Sequence, residues 1–357
     1  MLPQLSLFFF SADSADAQGS KYQMLLESAK FADEHGFTAV WTPERHFQRF
    51  GGLYGSPSVT SAALAVLTKR ISIRAGSVVL PLQNPLRVAE EWAMIDNLSN
   101  GRVAIAAASG WHANDFVLSP DTYQNRHADM FEKIATVQKL WRGEKVSLAN
   151  GVGVQTEVNI LPAPIQPELP IWLTAQSDDT FVNSGKLGFN VLTANFALLH
   201  QPKMFERKAK LYRDAIQTHC GRRGHITLMA HTFVGENEDA IRTIAQPAMT
   251  EYIKVNVEMQ KDHTARTRDE QGSLRKTSWV NPELSRLSEE ETQAMIEAQV
   301  HNNLRSPLSF IGTLDQCRQK AERLSANGVD EIACLIDFGI GFSEVMASLR
   351  RLSELLA

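Results

Sequence analysis

Residues 71–109 read ISIRAGSVVLPLQNPLRVAEEWAMIDNLSNGRVAIAAAS. Two β-rich runs, Ile71 to Leu80 and Arg102 to Ser109, lie on either side of a segment with helical periodicity. Asn84 and Pro85 provide an N-cap and a first-turn proline for that helix, and Gly101 ends it. Its expected buried stripe consists of Val88, Trp92 and Ile95. A strand, a helix and a second strand in this order predict a parallel βαβ unit.

The same alternation extends over almost the whole chain, which favours an α/β fold with a parallel sheet. Eight strand-like runs are expected, and eight is the number of strands in a closed (β/α)8 TIM barrel. A doubly wound open sheet is the alternative, because a one-dimensional pattern does not show whether a sheet closes. The predicted strands are Gln4 to Phe10, Thr38 to Thr42, Ile71 to Leu80, Arg102 to Ser109, Ile171 to Ala175, Asn190 to Ala194, Ile226 to Val234 and Glu331 to Asp337.

We expect one domain over residues 1–357, with two insertions. A TIM barrel takes about 250 residues, which leaves roughly 100 for insertions. Residues 144–170 hold two alternating β segments and four prolines, which predict a hairpin and a crossing loop after strand four. Residues 250–310 are mostly polar and charged and include RTRDEQGS, so we expect a mobile insertion after strand seven.

Composition narrows the classes of partner. The 357 residues carry a formal charge of −4 and no basic block, so a nucleic-acid partner is not expected. The apolar stretch Leu5 to Phe10 has no basic residue before it and is too short to span a membrane, so we expect the first strand of a cytoplasmic protein. The three cysteines are far apart and form no C-x-x-C pair, which argues against disulfides and a cysteine zinc site.

Ligands of α/β folds bind at the carboxyl ends of the strands, so the residues after each run are the candidate site. Strand two ends in WTPERHF, residues 41–47, which places Glu44, Arg45 and His46 at one exit. These side chains can move protons or bind anions, although an ordinary charged turn has the same composition. Other exits carry Ser11, Asp13, Asn195 and Asp337.

The segment after strand five reads TAQSDDTF, residues 174–181, and opens a helix. Ser177 and Thr180 can offer hydroxyls and backbone N–H groups to a phosphate, and the helix dipole favours an anion there. An ordinary N-cap explains the same pattern, and the carboxylates of Asp178 and Asp179 argue against phosphate. No dinucleotide or P-loop glycine motif occurs elsewhere.

The exit of strand four reads AAASGWHANDF, residues 106–116. Small residues followed by an aromatic ring and polar groups suit a flat heterocycle lying against the strand, and close packing in a barrel core is an equal explanation. For His46 and His112, a structural histidine with one hydrogen bond competes with a catalytic role. No H-E-x-x-H or H-x-H spacing supports a metal site.

Three stretches resemble the bacterial luciferase-like flavin-dependent monooxygenases: WTPERHF at 41–47, LPLQNPLRVAEEWAMIDNLSNGR at 80–102 and LWRGE at 140–144. Three more resemble the subgroup associated with polyketide and nonribosomal peptide pathways: SGWHANDF at 109–116, LMAHTFVGE at 228–236 and GVDEIACLIDFG at 328–339. Together they span nearly the whole chain. The resemblance implies that the sheet closes into a luciferase-like barrel.

The resemblance also implies reduced FMN, delivered by a separate flavin reductase, that activates O2 as a C4a-peroxyflavin. Ser177 and Thr180 match the positions at which members of the family bind the FMN phosphate, and Gln176 lies beside them in the sequence. A strand-three bulge is implied under the isoalloxazine, where relatives can carry a non-proline cis peptide. The residues implied at the bulge are Ala75, Gly76 and Ser77, and those lining the flavin from strand four are Ser109, Gly110 and Asp115.

One position departs from the family pattern. Luciferases have two histidines before the phenylalanine of the strand-two motif, and the first is assigned to catalysis; here that position is Arg45, followed by His46. Because arginine stays protonated, Arg45 cannot be a base, but it can stabilise a peroxide anion or a substrate carboxylate or phosphate. We therefore expect oxygenation without light emission. His46 and Arg45 would stabilise the oxygenated flavin and transfer the substrate proton. Glu44 would orient these two side chains, and His112 is a second acid/base candidate.

The implied reaction is hydroxylation or Baeyer–Villiger-like insertion on a natural-product intermediate, either a small molecule or one bound to a carrier protein. A homodimer is expected from the family. Two alternatives stay open. Deazaflavin-dependent hydride transfer is used by relatives with this barrel, and a non-catalytic flavin-binding protein has Arg45 as its only sequence support.

Overall fold

The computed structural model describes residues 2–10, 21–194, 202–266 and 284–356. Eight parallel strands form a ring in the order β1-β2-β3-β4-β7-β8-β9-β11, and β11 pairs with β1. The strands are β1 (Gln4–Phe8), β2 (Ala39–Thr42), β3 (Ser72–Val79), β4 (Val103–Ala108), β5 (Val146–Ala149), β6 (Gln155–Val158), β7 (Ile171–Thr174), β8 (Asn190–Ala194), β9 (Ile226–Val234), β10 (Phe310–Gly312) and β11 (Glu331–Leu335).

The pairing of β8 with β9 closes the ring, with Val191 opposite Ile226 and Ala194 opposite Met229. An open doubly wound sheet would leave those two strands apart. The predicted closed (β/α)8 TIM barrel is therefore confirmed, and its eight strands are the eight that the sequence pattern indicated.

Helices surround the barrel and connect successive strands. They are α1 (Gln23–Glu34), α2 (Pro57–Leu67), α3 (Pro85–Ser99), α4 (Arg126–Trp141), α5 (Asp178–Lys186), α6 (Pro202–Cys220), α7 (Glu238–Ala240), α8 (Gln246–Arg266), α9 (Glu289–Arg305), α10 (Leu314–Ala326) and α11 (Phe342–Ser353). A π-helical segment, Ile241–Ala245, joins α7 to α8. Within the described ranges, no helix is both long and apolar enough to cross a membrane.

Helix α3 shows how local sequence determines an element. The side chain of Asn84 accepts a hydrogen bond of 2.9 Å from the backbone N–H of Leu86, and Pro85 occupies the first turn. The helix ends at Ser99, one residue before Asn100, whose φ of 58° is left-handed. The chain therefore leaves the helix slightly earlier than the glycine signal at Gly101 indicated.

Several predicted strands are one or two residues too long at their carboxyl ends. The runs predicted to reach Phe10 and Asp337 leave the ladder at Phe8 and Leu335. The N–H of Phe9 still donates to the backbone carbonyl of Trp41, but the N–H of Phe10 donates to the carboxylate of Asp337 at 2.7 Å. The apolar pattern did not reveal this change because Phe9 and Ile336 stay buried. The three-residue strand β10, which pairs with the end of β9, was too short to be predicted.

Both insertions have secondary structure of their own. Strands β5 and β6 pair as an antiparallel hairpin within residues 144–170. Residue 250, where the second insertion was predicted to begin, lies inside α8, and α9 follows later in the same range. In RTRDEQGS only Arg266 lies within the described residues. The polar composition of α8 concealed its buried face, which consists of Met249, Tyr252, Ile253, Val257 and Met259.

A buried ionic layer fills the amino-terminal half of the barrel. Glu331 on β11 pairs with Arg74 on β3 at 2.8 Å, and its side chain is fully buried. It also accepts hydrogen bonds from Ser6 at 2.5 Å and from Trp41 at 3.1 Å. Burial opposes ionisation of Glu331, but Arg74 and the hydrogen bonds hold its pKa well below its usual range. The layer joins strands that are remote in sequence.

Candidate active site

The predicted site residues lie at the carboxyl ends of four neighbouring barrel strands, β2, β3, β4 and β7. Because all barrel strands are parallel, these ends share one rim of the barrel. The residues form two groups. The first group surrounds Glu44, Arg45 and Asp115, and the second lies at the start of α5.

Glu44 joins the exits of β2 and β3. Its Oε2 accepts a hydrogen bond of 2.7 Å from the backbone N–H of Val79, and its side chain is fully buried. Its Oε1 lies 3.1 Å from Nε2 of His46 and also accepts from the amide of Gln83. An ionised carboxylate only accepts hydrogen bonds, so Nε2 of His46 is the donor. Glu44 therefore holds the imidazole in one tautomer and orientation.

Arg45 is almost entirely buried, with 3% of its surface exposed. Its Nη1 lies 3.4 Å from Oδ2 of Asp115, and its guanidinium carbon lies 4.7 Å from the ring centroid of Trp111. Its Nη2 donates to the sulfur of Met259 at 3.6 Å. Burial lowers the pKa of Arg45, and Asp115 opposes that shift. Among the described residues, the guanidinium thus contacts the carboxylate of Asp115, the ring of Trp111 and the sulfur of Met259.

Asp115 and His112 come from the exit of β4. Burial raises the pKa of Asp115, while the charges of Arg45 and His46 oppose the shift. The backbone N–H of His46 also hydrogen-bonds to this carboxylate. Nδ1 of His112 lies 3.9 Å from Oδ1 of Asp115, which is too long for a hydrogen bond. The imidazole instead contacts the edge of Trp111, with ring centroids 5.1 Å apart.

The exit of β3 contains an irregularity at the predicted position. The register to β4 shifts between Gly76 and Val78, and the Gly76–Ser77 peptide is cis. A Cβ on Gly76 would lie 2.6 Å from the ring of Phe8, so only glycine fits there. The hydroxyl of Ser77 hydrogen-bonds to that of Thr174 at 2.5 Å, which joins the exits of β3 and β7. Ala75 lies deeper and is fully buried.

Ser109 and Gly110 directly follow β4, on the rim between β3 and β7. Gly110 has a φ of 75°, and a Cβ there would lie 2.8 Å from both Val79 and Phe116. Its carbonyl accepts a hydrogen bond of 3.1 Å from Nε of Arg126. The chain turns sharply at this glycine, and the turn brings Asp115 back towards Arg45.

The second group lies at the start of α5. Ser177 is the N-cap: its hydroxyl accepts from the N–H of Thr180 at 3.2 Å and lies 2.9 Å from the hydroxyl of Thr180. Asp178 is bound by Lys208 at 2.7 Å and by Arg207 at 2.6 Å. Lys208 also donates to the carbonyl of Gln176 at 2.8 Å. The two cations pair with Asp178, which weakens the electrostatic objection to an anion at this helix end.

Two contributors to the rim were missed by the sequence analysis, and both lie on α8. Met259 contacts Arg45, and Tyr252 is buried with 6% of its surface exposed. The ring of Tyr252 lies 5.0 Å from the rings of both Phe50 and His231. Burial raises the pKa of Tyr252 well above its usual value, and the carboxylate of Asp337 adds to the rise. The apolar spacing of Met249, Tyr252, Ile253 and Val257 was the available signal.

Flavin mononucleotide fits this chemistry. Hydroxyls and helix N–H groups at α5 suit a phosphate. Small residues, Gly76, Ser77, Ser109 and Gly110, lie in β3 and at the exit of β4, close to the strand β2 whose exit carries the buried Glu44 and Arg45. Among the described residues, no three metal-ligating side chains come together.

A surface depression of about 360 Å³ opens beside the first group. Two of its lining residues adjoin the first group in sequence: Phe47 directly follows His46, and Asn114 directly precedes Asp115. Phe47 has a left-handed φ of 57° and is 63% exposed. The depression, completed by Gln48 and Val117, therefore lies at the surface next to the chain segments that carry His46 and Asp115.

Comparison with known proteins agrees with this geometry. Residues 4–331 match the model of the luciferase-like monooxygenase family. The oxygenase component of the flavin-dependent trigonelline monooxygenase of Acinetobacter baylyi is 27% identical over 365 residues, covering 98% of this chain and 93% of the relative.

Two solved structures have the same fold. The monooxygenase RslO1 from Streptomyces bottropensis superposes with a TM-score of 0.73 at 20% identity and 98% coverage of both chains. The oxygenating constituent of 3,6-diketocamphane monooxygenase from Pseudomonas putida, a type II Baeyer–Villiger enzyme in complex with FMN, has a TM-score of 0.73 at 14% identity, covering 99% of this chain and 97% of that one. The closed barrel, its rim and the family match over nearly the full length lead to one conclusion: the chain belongs to the luciferase-like monooxygenase family.

Proposed function

We propose that the protein is the oxygenase component of a two-component monooxygenase that uses reduced FMN and O2. The observation that carries the proposal is the cluster of buried Glu44, Arg45 and Asp115 with the partly buried His46 at the barrel rim. Burying several ionisable groups is costly, and such clusters are characteristic of active sites. The trigonelline monooxygenase relative is itself named an oxygenase component, which supports a separate reductase as the source of reduced FMN.

The FMN would be held at two places. Ser177 and Thr180 would bind the phosphate at the start of α5, with Gln176 beside them. Reduced FMN, when bound, would supply the electrons that activate O2. Residues of β3 and of the exit of β4 would lie against the isoalloxazine, and all of them except Asp115 are small enough to allow close approach: Ala75, Gly76, Ser77, Ser109, Gly110 and Asp115.

His46 and Glu44 would move the proton. Since Glu44 accepts from Nε2 of His46, the neutral ring presents Nδ1 as its acceptor. That nitrogen would take the substrate proton, and Glu44 would stabilise the imidazolium that results. Arg45 would supply fixed positive charge, and His112 would be a second acid or base. The apolar burial around Arg45 would keep water from the reacting atoms.

We propose a natural-product intermediate as the substrate, free or bound to a carrier protein. The support is the resemblance of residues 109–116, 228–236 and 328–339 to the subgroup of such pathways. The surface depression at Phe47 and Val117, of about 360 Å³, would receive a small molecule or a tethered acyl group next to the segments that carry His46 and Asp115. Both hydroxylation and Baeyer–Villiger-like insertion are open to this site.

A homodimer is part of the proposal. Helices α2 and α3 pack together, and each exposes two large apolar side chains: Val59, Val66, Met94 and Leu98. A second copy would cover these side chains. Light scattering on the wild type and on a Met94→Glu, Leu98→Glu variant would show a dimer and a monomer, respectively. A monomeric wild type would rule the dimer out.

Stopped-flow absorbance tests the proposed activity. The protein and anaerobically reduced FMN are mixed with oxygenated buffer, and the return of oxidised FMN is followed with and without protein. We expect a phase that delays oxidised FMN and is absent without protein. If reduced FMN were oxidised at the same rate with and without protein, the proposed monooxygenase would be rejected. If a reduced deazaflavin then bound and transferred hydride, the alternative reaction class would be established.

A further inference from the structure

Two buried side chains at the rim have hydrogen-bond donors without acceptors. Nε and Nη1 of Arg45 and the hydroxyl of Tyr252 have no hydrogen-bond partner within the described parts of the chain. Both residues are more than nine-tenths buried. Buried donors are nearly always paired, so a concentration of unpaired ones indicates that something else supplies the acceptors.

The existing neighbours of Arg45 do not fulfil that role. The nearest carboxylate oxygen, on Asp115, is 3.4 Å from Nη1, and the other close contacts are the Trp111 ring and the sulfur of Met259. Sulfur is a weak hydrogen-bond acceptor, and the face of an aromatic ring is not a conventional hydrogen-bond acceptor. A guanidinium has five N–H donors in a planar fork that suits a carboxylate or a phosphate.

Tyr252 adds a donor to the same surroundings. Tyr252 and Met259 lie two turns apart on one buried face of α8, and Met259 contacts the Arg45 guanidinium. Burial and the Asp337 carboxylate raise the pKa of Tyr252. The phenol therefore stays protonated and can donate its O–H to an acceptor. Asp337 already receives the N–H of Phe10 and the hydroxyl of Tyr54.

We propose that Arg45 and Tyr252 together bind an oxyanion of the substrate, a carboxylate or a group of like charge and geometry. The inference rests on the proposed function, because it takes the rim as the substrate site. It names the substrate class: a molecule with an acidic group near the position that is oxidised. Arg45 then acts in specificity, which gives a physical role to the residue that departs from the histidine of the luciferase pattern.

The test uses benzoate and benzamide, which have nearly the same shape and differ in charge. Isothermal titration calorimetry on the full chain gives the affinity of each for the wild type, Tyr252→Phe and Arg45→Met. We expect benzoate to bind the wild type at least about tenfold more tightly than benzamide. Tyr252→Phe should reduce that ratio severalfold, and Arg45→Met should abolish it.

Tyr22→Phe and Arg87→Met are matched controls, because Tyr22 bonds the Leu53 carbonyl at the surface and Arg87 is exposed on α3. Both should leave the ratio unchanged. If Arg45→Met fails to fold, Tyr252→Phe still tests the site, since it removes one oxygen only. Equal binding of the two probes, no binding of either, or a benzoate preference that survives both variants would overturn the proposal.

A second measurement separates possible sources of the anion. If the FMN phosphate were the occupant, Arg45→Met would weaken FMN and leave riboflavin unchanged, and the substrate proposal would fall. The probes contain no flavin, so failure here leaves the stopped-flow result intact. Conversely, benzoate selectivity with no effect on FMN oxidation would reject only the proposed monooxygenase activity.

Discussion

Oε2 of Glu44 accepts a hydrogen bond of 2.7 Å from the backbone N–H of Val79, and this bond connects the exit of β2 to the exit of β3. The same carboxylate orients His46 through its other oxygen. One buried side chain therefore connects two strand exits and orients an imidazole. Removing its charge should affect both.

Glu44→Gln should lower the free energy of unfolding by about 1–3 kcal/mol. The buried N–H of Val79 would lose its carboxylate acceptor or face the amide N–H of the glutamine. Chemical denaturation measures this loss. Glu90→Gln, on the surface of α3, is the control and should change stability little. An equal effect of both substitutions would mean that the Glu44 contacts contribute nothing to stability.

Thr180→Val should weaken FMN about tenfold, which corresponds to about 1.4 kcal/mol. The valine keeps the shape and leaves the Ser177 cap in place, but removes one hydroxyl from the proposed phosphate site. Riboflavin lacks the phosphate, so its affinity should stay the same. Fluorescence titration of both flavins, with Thr136→Val on α4 as the control, makes the comparison; parallel losses for the two flavins would place the phosphate elsewhere.

Glu331→Gln should destabilise the barrel by about 3–5 kcal/mol, because it leaves the charge of Arg74 buried without its partner. The double variant Arg74→Met, Glu331→Gln should be more stable than the sum of the single changes predicts. A denaturation double-mutant cycle measures this coupling. Strict additivity would show that the two side chains do not stabilise each other.

His231 should make the protein less stable in mild acid. Burial lowers its pKa to about 3, whereas an unfolded histidine titrates near 6.5. Between these values the unfolded chain binds the extra proton, so stability is present above about pH 6.5 and falls as the pH decreases. This group should cost about 2 kcal/mol between pH 7 and pH 5.

Denaturation at both pH values tests that expectation with His231→Phe, which should lose less stability on acidification than the wild type. The exposed His301, replaced by glutamine, is the control. The same pH dependence in all three proteins would show that His231 does not carry the effect.

Much of the candidate site could be predicted because it lies at strand exits. Glu44, Arg45 and Asp115 were candidates by position alone, since parallel strands bring their carboxyl ends to one rim. Tyr252 and Met259 were missed because α8 is mostly polar and lies far along the chain from Arg45. Ser11, Asp13 and Asn195, which were also candidates, lie outside the described residues.

The sequence by itself determined the eight strands, the helix that follows β3 and the chemical types at each exit, because periodicity and capping are local properties of the chain. Only the tertiary structure decided that β8 meets β9, that Glu331 meets Arg74 and that Met259 on α8 meets Arg45. Those contacts join residues far apart in sequence. They depend on how the barrel closes and on which side chains become buried when it does, and no local pattern encodes either.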